Sequence, residues 1–331
     1  MTVVVTTGAR LHFGLLCGSP DSGWRYGGVG MMVDQPAWEI QVSWVPAIES
    51  DVIHAGDIIR DRVQNVLSRF RHVVADLSAV ECTVHRAAPF HSGLGAGTQF
   101  TLALGTALLV LTGKPRPRDM AEFAATLDRS RRSAVGTYGF DHGGFVIDHG
   151  IPGDSTTPRS FDRIRFPDSW RMVMLTPQTA EGLSGETEET FFDRQDYLAD
   201  DVVSQIGQVI EPNIVESLRG EDFRQFRDAL ERYGHLAGEY YAAAQGGVFS
   251  NRQMENVVQE LRSQGITGAV QSSWGPTVCI PAESDQAAEK IREVARESDH
   301  GPAITTGIVR GLNIGATVRT TAPEHGQRSF G

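Results

Sequence analysis

One stretch of this chain, Ala88-Pro89-Phe90-His91-Ser92-Gly93-Leu94-Gly95-Ala96-Gly97-Thr98-Gln99, has the composition of an anion cradle. Its glycines let oxygen atoms approach the backbone without meeting a Cβ. The next run, Phe100 to Leu111, is almost entirely apolar and is stopped by Gly113 and Pro115. That pattern predicts a loop feeding a buried helix. The first turn of such a helix presents unbonded N–H groups at the positive end of its dipole, where an anion is stabilised. His91, Ser92, Gly93, Leu94, Gly95, Ala96, Gly97, Thr98 and Gln99 are therefore candidate substrate contacts. The competing reading is a tight turn whose glycines serve only positive φ. Spacing excludes two other phosphate loops. The one Gly-Lys pair, Gly113-Lys114, is followed by Pro115 and not by Ser or Thr. A dinucleotide fingerprint needs glycine where Thr98 stands, directly after a strand, and Pro89 opposes that context.

Other residues with chemical potential lie far away in sequence. Arg10 and His12 alternate with Leu11 and Phe13 on a predicted half-buried strand, so they project side by side. Their alternative is a solvated face. Ser130 to Phe145 is read as a glycine-rich, arginine-bearing turn, with Arg131 and Asp141 as candidate ligand contacts and an exposed loop as the alternative. Asp141, His142 and His149 match no transition-metal spacing. Gly182 to Phe192 is acid-rich and contains Glu186 and Glu189; its plain reading is a helix start. A second small-residue loop, Gln271-Ser272-Ser273-Trp274-Gly275-Pro276, offers Ser272, Ser273, Trp274 and Gly275.

Elements must be found to bring these together. Thr2 to Thr7 reads as a strand, as do Gly27 to Val33 and Ala37 to Trp44, with a turn expected at Asp34-Gln35-Pro36. Asp57 to Val74 has helical amphipathic spacing, Val80 to Arg86 is a strand, and Pro117 to about Arg129 is a further helix. The Pro, Gly and hydroxyl bias of residues 150–162 marks a linker or hairpin. Beyond it come a strand at Trp170 to Leu175, helices at Val202 to Gln208, Asp222 to Ala243, Asn251 to Ser263 and Ala282 to Arg296, and strands at Thr277 to Ile280, Ala303 to Val309 and Asn313 to Val318. This is an α+β chain of two domains, 1–162 and 163–331.

Composition narrows the chemistry. A net charge of −11 opposes nucleic-acid binding, which needs a basic face. Lys114 and Lys290 are the only lysines, so anion recognition falls to backbone amides and arginine forks. Cys17, Cys82 and Cys279 have no metal or disulfide spacing, and no signal or membrane segment is read, which leads to the expectation of a cytoplasmic protein without a membrane partner.

Taken together, the strand with Arg10, the loop at 89–99 and the loop at 268–278 resemble the three motifs of the GHMP superfamily, which includes galactokinase, homoserine kinase and mevalonate kinase. The middle motif of that family, Pro-x-x-x-Gly-Leu-Gly-Ser-Ser, is matched by Pro89 to Gly95 and then departs, with Ala96 and Gly97 in place of the serines. The catalytic aspartate of the kinases would fall within Ser133 to Thr137, which holds none. These departures resemble the non-kinase branch, the β-ribofuranosylaminobenzene 5′-phosphate synthases. The likeness rests also on Ala9 to Leu15, Gly136 to Phe140 with Gly143-Gly144-Phe145, Gly182 to Glu186, and Gln271 to Thr277.

The resemblance implies a GHMP-kinase-like fold, with an N-terminal ribosomal-protein-S5-domain-2-like domain and a C-terminal ferredoxin-like domain. It also implies a reaction of phosphoribosyl pyrophosphate with 4-aminobenzoate, releasing carbon dioxide and pyrophosphate, at the start of methanopterin biosynthesis. Mg2+ is the implied cofactor and a homodimer the implied assembly. Arg10, His12 and Asp141 become candidate catalytic residues, and Glu186 and Glu189 candidate metal ligands. Trp24, Tyr26 and Trp274 are candidates for an aromatic slot, against the alternative of core packing. The competing functions are an ATP-dependent small-molecule kinase of the same superfamily and a non-catalytic ligand-binding protein.

Overall fold

The computed structural model describes residues 1–17, 24–45, 50–74, 77–130, 132–152, 155, 160–178 and 198–321. In chain order the strands of the first half are β1 (Thr2–Leu16), β2 (Trp24–Arg25), β3 (Gly27–Trp44), β4 (Val52–His54), β5 (Val80–Arg86), β6 (Phe145–Asp148), β7 (Ile151–Pro152) and β8 (Phe161–Ile164). Its helices are α1 (Asp57–Val73), α2 (Ala96–Leu111), α3 (Met120–Thr126) and α4 (Val135–His142). The second half contributes β9 (Arg171–Pro177), α5 (Asp200–Val209), a π-helical turn at Ile210–Val215, α6 (Glu216–Gly220), α7 (Phe223–Gln245), α8 (Arg252–Ser263), β10 (Val270–Gln271), β11 (Val278–Ala282), α9 (Asp285–Glu297), β12 (Ile304–Arg310) and β13 (Thr317–Thr321).

The first sheet runs β13-β1-β3-β5-β4, with β6 also on β3 and β8 on β6. β3 is one continuous strand, and the turn expected at Asp34-Gln35-Pro36 does not form. Thr7 pairs with Trp38 and Ala9 with Val33, so residues 34–37 stand opposite Gly8 alone. This bulge accepts a proline without costing the ladder a hydrogen bond. Gly8 is obligatory there, because a Cβ would lie 2.0 Å from the Val33 carbonyl oxygen.

One face of the sheet (Trp38, Ile40, Val42) is covered by Val63 and Phe70 of α1 and Phe100, Leu104 and Leu108 of α2. α2 is buried nearly all round, as its unbroken apolar run requires. The other face, through Leu11, Phe13, Val29, Met31 and Phe145, packs on Phe226, Leu230 and Tyr233 of α7. The second sheet, β10-β11-β9-β12, is antiparallel throughout and is backed by α8 and α9.

Residues 135–142 form α4 and not the expected turn. Gly136 and Gly139 read as helix breakers, but a Cβ at Gly139 would meet the Met32 side chain at 2.7 Å. The glycine lets the helix lie against β3. The strand expected from Asn313 begins only at Thr317 and adds to the edge of β1. The division expected at 162/163 falls inside β8, and β13 places the last described strand in the first sheet. Among the described residues no helix is long and apolar enough to cross a membrane.

Candidate active site

Three sequence-distant segments are tied together at one point. The His12 N–H donates to Ser272 Oγ at 3.0 Å, and that hydroxyl donates to the Gly93 carbonyl at 2.7 Å. The Ser273 N–H donates to the His12 carbonyl, and the Arg10 N–H donates to the Leu94 carbonyl at 3.0 Å. Strand β1 and both glycine-rich loops therefore form one unit. Gly93, at φ +78°, belongs to this packing, since a Cβ would lie 2.3 Å from the Ser272 carbonyl oxygen.

Arg10 crosses from β1 to the starts of two helices. Its Nε lies 3.3 Å from the Cβ position of Gly95, the residue before α2, and 3.6 Å from that of Gly136 in the first turn of α4. Neither helix has a side-chain cap on its N-cap residue, Gly95 or Ala134. A guanidinium beside the starts of two helices places a charged donor next to backbone N–H groups, a combination that suits an anion. Gln99 fixes the arrangement: its side-chain carbonyl accepts from Thr7 Oγ1 at 2.8 Å and its amide donates to the Gly136 carbonyl at 2.7 Å. Gln99 is fully buried and acts as a bracket between β1, α2 and α4.

A second basic hollow, about 190 Å³, opens on the flank of α2 and is lined by Arg62, Asn65, Arg69, Thr101 and Arg129. Arg129 Nε donates to Thr101 Oγ1 at 3.3 Å, and its NH2 group is the nearest atom, at 3.8 Å, to a Cβ built on Gly97. Arg69 pairs with Asp128 at 2.8 Å, and Arg62 lies 4.0 Å over the Phe90 ring. Gly97 thus leaves open space between α2 and this hollow, whereas Gly93 fills a contact.

Beneath Arg10 runs a buried polar chain. His12 is buried and its pKa is lowered well below the usual histidine value, first by burial and then by the charge of Arg10. The imidazole is therefore neutral near pH 7, with Nε2 3.4 Å from Ser133 Oγ. Asp148, at the end of β6, accepts the Ala134 N–H at 2.7 Å and the Gly150 N–H at 3.0 Å. Burial raises its pKa to about 6 against the opposing hydrogen bonds from Ala134, Gly150 and Ser133. Sequence reading passed over Asp148. Its one signal is a charged residue closing the apolar run Phe145-Val146-Ile147, a place where burial demands partners.

The remaining candidates divide. Trp274 and Tyr26 gather with Leu15, Tyr240 and Tyr241 in one apolar cluster, with the Trp274 and Tyr241 rings 4.7 Å apart. Trp24 lies on β2. Ser92 donates to the Pro89 carbonyl at 2.9 Å, and exposed His91 sits at φ +58°. Ser272, Ser273 and Gly275 shape the second loop; a Cβ on Gly275 would lie 2.3 Å from Ser250 Oγ. Asp141 is at the far end of α4 from Arg10, paired with Arg116 and 3.2 Å from His142 Nε2. Arg131, Glu186 and Glu189 lie outside the described residues.

The family is evident from two matched regions. The pattern of the GHMP kinases N terminal domain matches residues 61–144 and that of the GHMP kinases C terminal region matches 214–300, together just over half of the chain. The chain belongs to the GHMP kinase superfamily. Among its superfamily relatives is the beta-ribofuranosylphenol 5'-phosphate synthase of Methanothermobacter thermautotrophicus, 26% identical over 95% of this chain and 98% of that protein. The protein of the same name from Archaeoglobus fulgidus is 28% identical over 70% of this chain and 74% of its own length. Solved structures share the fold. Homoserine kinase from Cytophaga hutchinsonii aligns with a TM-score of 0.66 at 17% identity, covering 96% of this chain and 97% of the other. The mevalonate diphosphate decarboxylase from Enterococcus faecalis aligns with a TM-score of 0.67 at 14% identity over 97% and 99%.

Proposed function

We propose that this protein transfers a phosphoribosyl group from phosphoribosyl pyrophosphate to the carboxylate-bearing carbon of a para-substituted benzoate, releasing carbon dioxide and pyrophosphate. The observation that carries this reading is Arg10 held between the starts of α2 and α4. Residues 133–137, Ser-Ala-Val-Gly-Thr, supply no aspartate to activate a hydroxyl nucleophile, as a kinase of this superfamily would need. Transfer from a pre-activated sugar needs none. The donor carries two anionic ends, and two basic places serve them: the Arg10 cradle and the hollow lined by Arg62 and Arg129. Loss of pyrophosphate gives the sugar oxocarbenium character, the ring carbon attacks, and departure of carbon dioxide restores aromaticity.

The names of the archaeal relatives specify a ribosylated phenol, so 4-hydroxybenzoate stands beside 4-aminobenzoate as acceptor. Either assignment puts the chain at the opening of methanopterin biosynthesis. Magnesium fits as a companion of the donor's phosphates, with Glu186 and Glu189 outside the described residues. Among the described residues no three His, Cys, Asp or Glu side chains form a metal cluster, and magnesium is commonly held by substrate phosphates with one or two carboxylates. When bound it would neutralise the leaving pyrophosphate.

The test is labelled carbon dioxide released from carboxyl-labelled 4-hydroxybenzoate and 4-aminobenzoate. Release is expected with phosphoribosyl pyrophosphate and magnesium, and ATP is expected not to replace the sugar donor. Label retained in a riboside, or ATP consumed with a hydroxyl acceptor, overturns the reading.

A further inference from the structure

The basic hollow on the flank of α2 is built from three elements. Arg62, Asn65 and Arg69 recur at i, i+3 and i+7 along α1, a single row on the helix surface, while Val63, Val66, Leu67 and Phe70 of the same helix are buried. Thr101, one turn beyond Gly97 on α2, and Arg129, just after α3, complete its polar lining with Asp128. Among the described lining residues the charged groups are three arginines and that one carboxylate.

Each arginine is held in place by the protein itself. Arg62 lies 4.0 Å over the Phe90 ring, a stacking that uses the face of the guanidinium and not its N–H edge. Arg69 is paired with Asp128 at 2.8 Å. Arg129 sits between two non-glycine residues with left-handed backbone, Asp128 at φ +63° and Ser130 at φ +58°. That conformation is costly and needs support from its surroundings. The Arg129 N–H donates to the Ala124 carbonyl at 2.8 Å, and the Ser130 hydroxyl pairs with that of Thr137. The outcome is an Arg129 side chain bonded to Thr101 Oγ1 with its guanidinium beside Gly97, where α2 starts.

The hollow and the Arg10 cradle differ in charge and in access. The cradle has one guanidinium, next to buried His12. The hollow has three and meets solvent at exposed Asn65 and Arg69. Of the two anionic ends of the donor, the pyrophosphate carries more charge, and it is the end that departs. One donor can reach both places. Arg10 borders Gly95 and Arg129 borders Gly97, residues whose Cα atoms are at most about 7 Å apart.

We infer that the hollow holds the pyrophosphate end of the donor and the cradle its 5′-phosphate, so that the ribose crosses the first turn of α2. The inference rests on the reading given under Proposed function and orients the donor within it. As the bond from C1 of the ribose to the pyrophosphate oxygen breaks, the electron pair goes to that oxygen, and negative charge gathers beside Arg62 and Arg129. The aromatic carbon forms its bond to C1, and cleavage of the bond to carbon dioxide returns an electron pair to the ring. Donors fixed where charge develops lower the barrier to this step. Free pyrophosphate then departs past Asn65 and Arg69.

The test is binding of metal-free inorganic pyrophosphate and, separately, of ribose 5-phosphate to the full-length protein. Arg62→Gln is expected to lower the ratio of pyrophosphate to ribose 5-phosphate affinity roughly tenfold, as loss of a charge-assisted hydrogen bond would. Arg10→Gln is expected to raise the same ratio. Asn65→Asp keeps the side-chain shape at an exposed position and adds a negative charge at the mouth of the hollow, so it should also lower the ratio, more strongly at low salt. General destabilisation would weaken both probes together and leave the ratio unmoved.

Shifts opposite to these overturn the orientation and leave the reaction standing with the donor reversed. A ratio unchanged in folded Arg62→Gln and Asn65→Asp overturns the hollow as a donor site, and so does a wild-type protein that binds neither probe. Carbon dioxide release judges the reaction separately: the expected shifts without label release by wild type keep the pyrophosphate site and remove the reaction.

Discussion

The two glycine-rich loops touch at Gly93 and use their glycines for opposite purposes. Around Gly93 and Gly275 the missing Cβ is space already taken, by the Ser272 carbonyl in one case and Ser250 Oγ in the other. At Gly97 the missing Cβ is space left empty, with an arginine at its far side. Glycine content alone does not distinguish a seam between segments from a berth for a ligand. The atoms that border each missing Cβ make that distinction.

The largest expected effect breaks the seam. Gly93→Ala places a methyl group 2.3 Å from a backbone carbonyl at φ +78°, where neither partner can retreat cheaply. A loss of about 3 kcal/mol or more is expected in urea unfolding. Gly97→Ala should do the reverse: stability unchanged or higher by a few tenths of a kcal/mol, with a raised KM for the sugar donor. Equal behaviour of the two variants would dissolve the distinction. Gly95→Val is a poorer probe, because Gly95 combines φ +66° with Arg10 atoms 3.2 Å from its Cβ position.

Next in size is Arg10→Gln. Removing a charged donor from a pre-formed anion site commonly costs about 10²- to 10³-fold in rate, and that fall is expected in kcat/KM with the folded state retained. Arg10→Lys should recover only part of it, since an ammonium cannot address two helix ends with a planar fork. A fall confined to thermal stability would move Arg10 from the ligand side of the comparison to the seam.

Much of this was readable in advance where one residue type carries one meaning. The apolar run of α2 between its loop and Gly113-Pro115, and the alternation that puts Arg10 beside His12, arise from local periodicity. The continuous β3 did not, because Pro36 signals a turn locally and only its pairing against Gly8 reveals a bulge. α4 was hidden by Gly136 and Gly139, whose cost to the helix is offset by close approach to Arg10 and Met32. Asp148 was hidden because its partners are backbone N–H groups, which have no sequence signature. Gln99 was legible as a neighbour of the site but not as a bracket, a role set by Thr7 and Gly136 from distant segments.

The smallest effect concerns the polar chain beneath both loops, where His12 and Asp148 give stability opposite dependences on pH. Asp148 has a pKa raised to about 6 from an ordinary carboxylate value near 4. Between those values the folded protein holds a proton that the unfolded chain has released, so this group lowers stability as pH rises through the window. His12 has its pKa lowered. Below an ordinary histidine value of about 6.5 the unfolded chain takes up a proton that the folded chain does not, so stability falls as pH falls. Asp148→Asn should therefore steepen the gain in urea midpoint from pH 4.5 to 6.5 relative to wild type, and His12→Asn should flatten it. Variant-to-wild-type differences that are the same at both pH values would show that neither group changes its protonation on folding. The chain under the loops would then be a set of packed polar contacts, part of the seam and not of the ligand site.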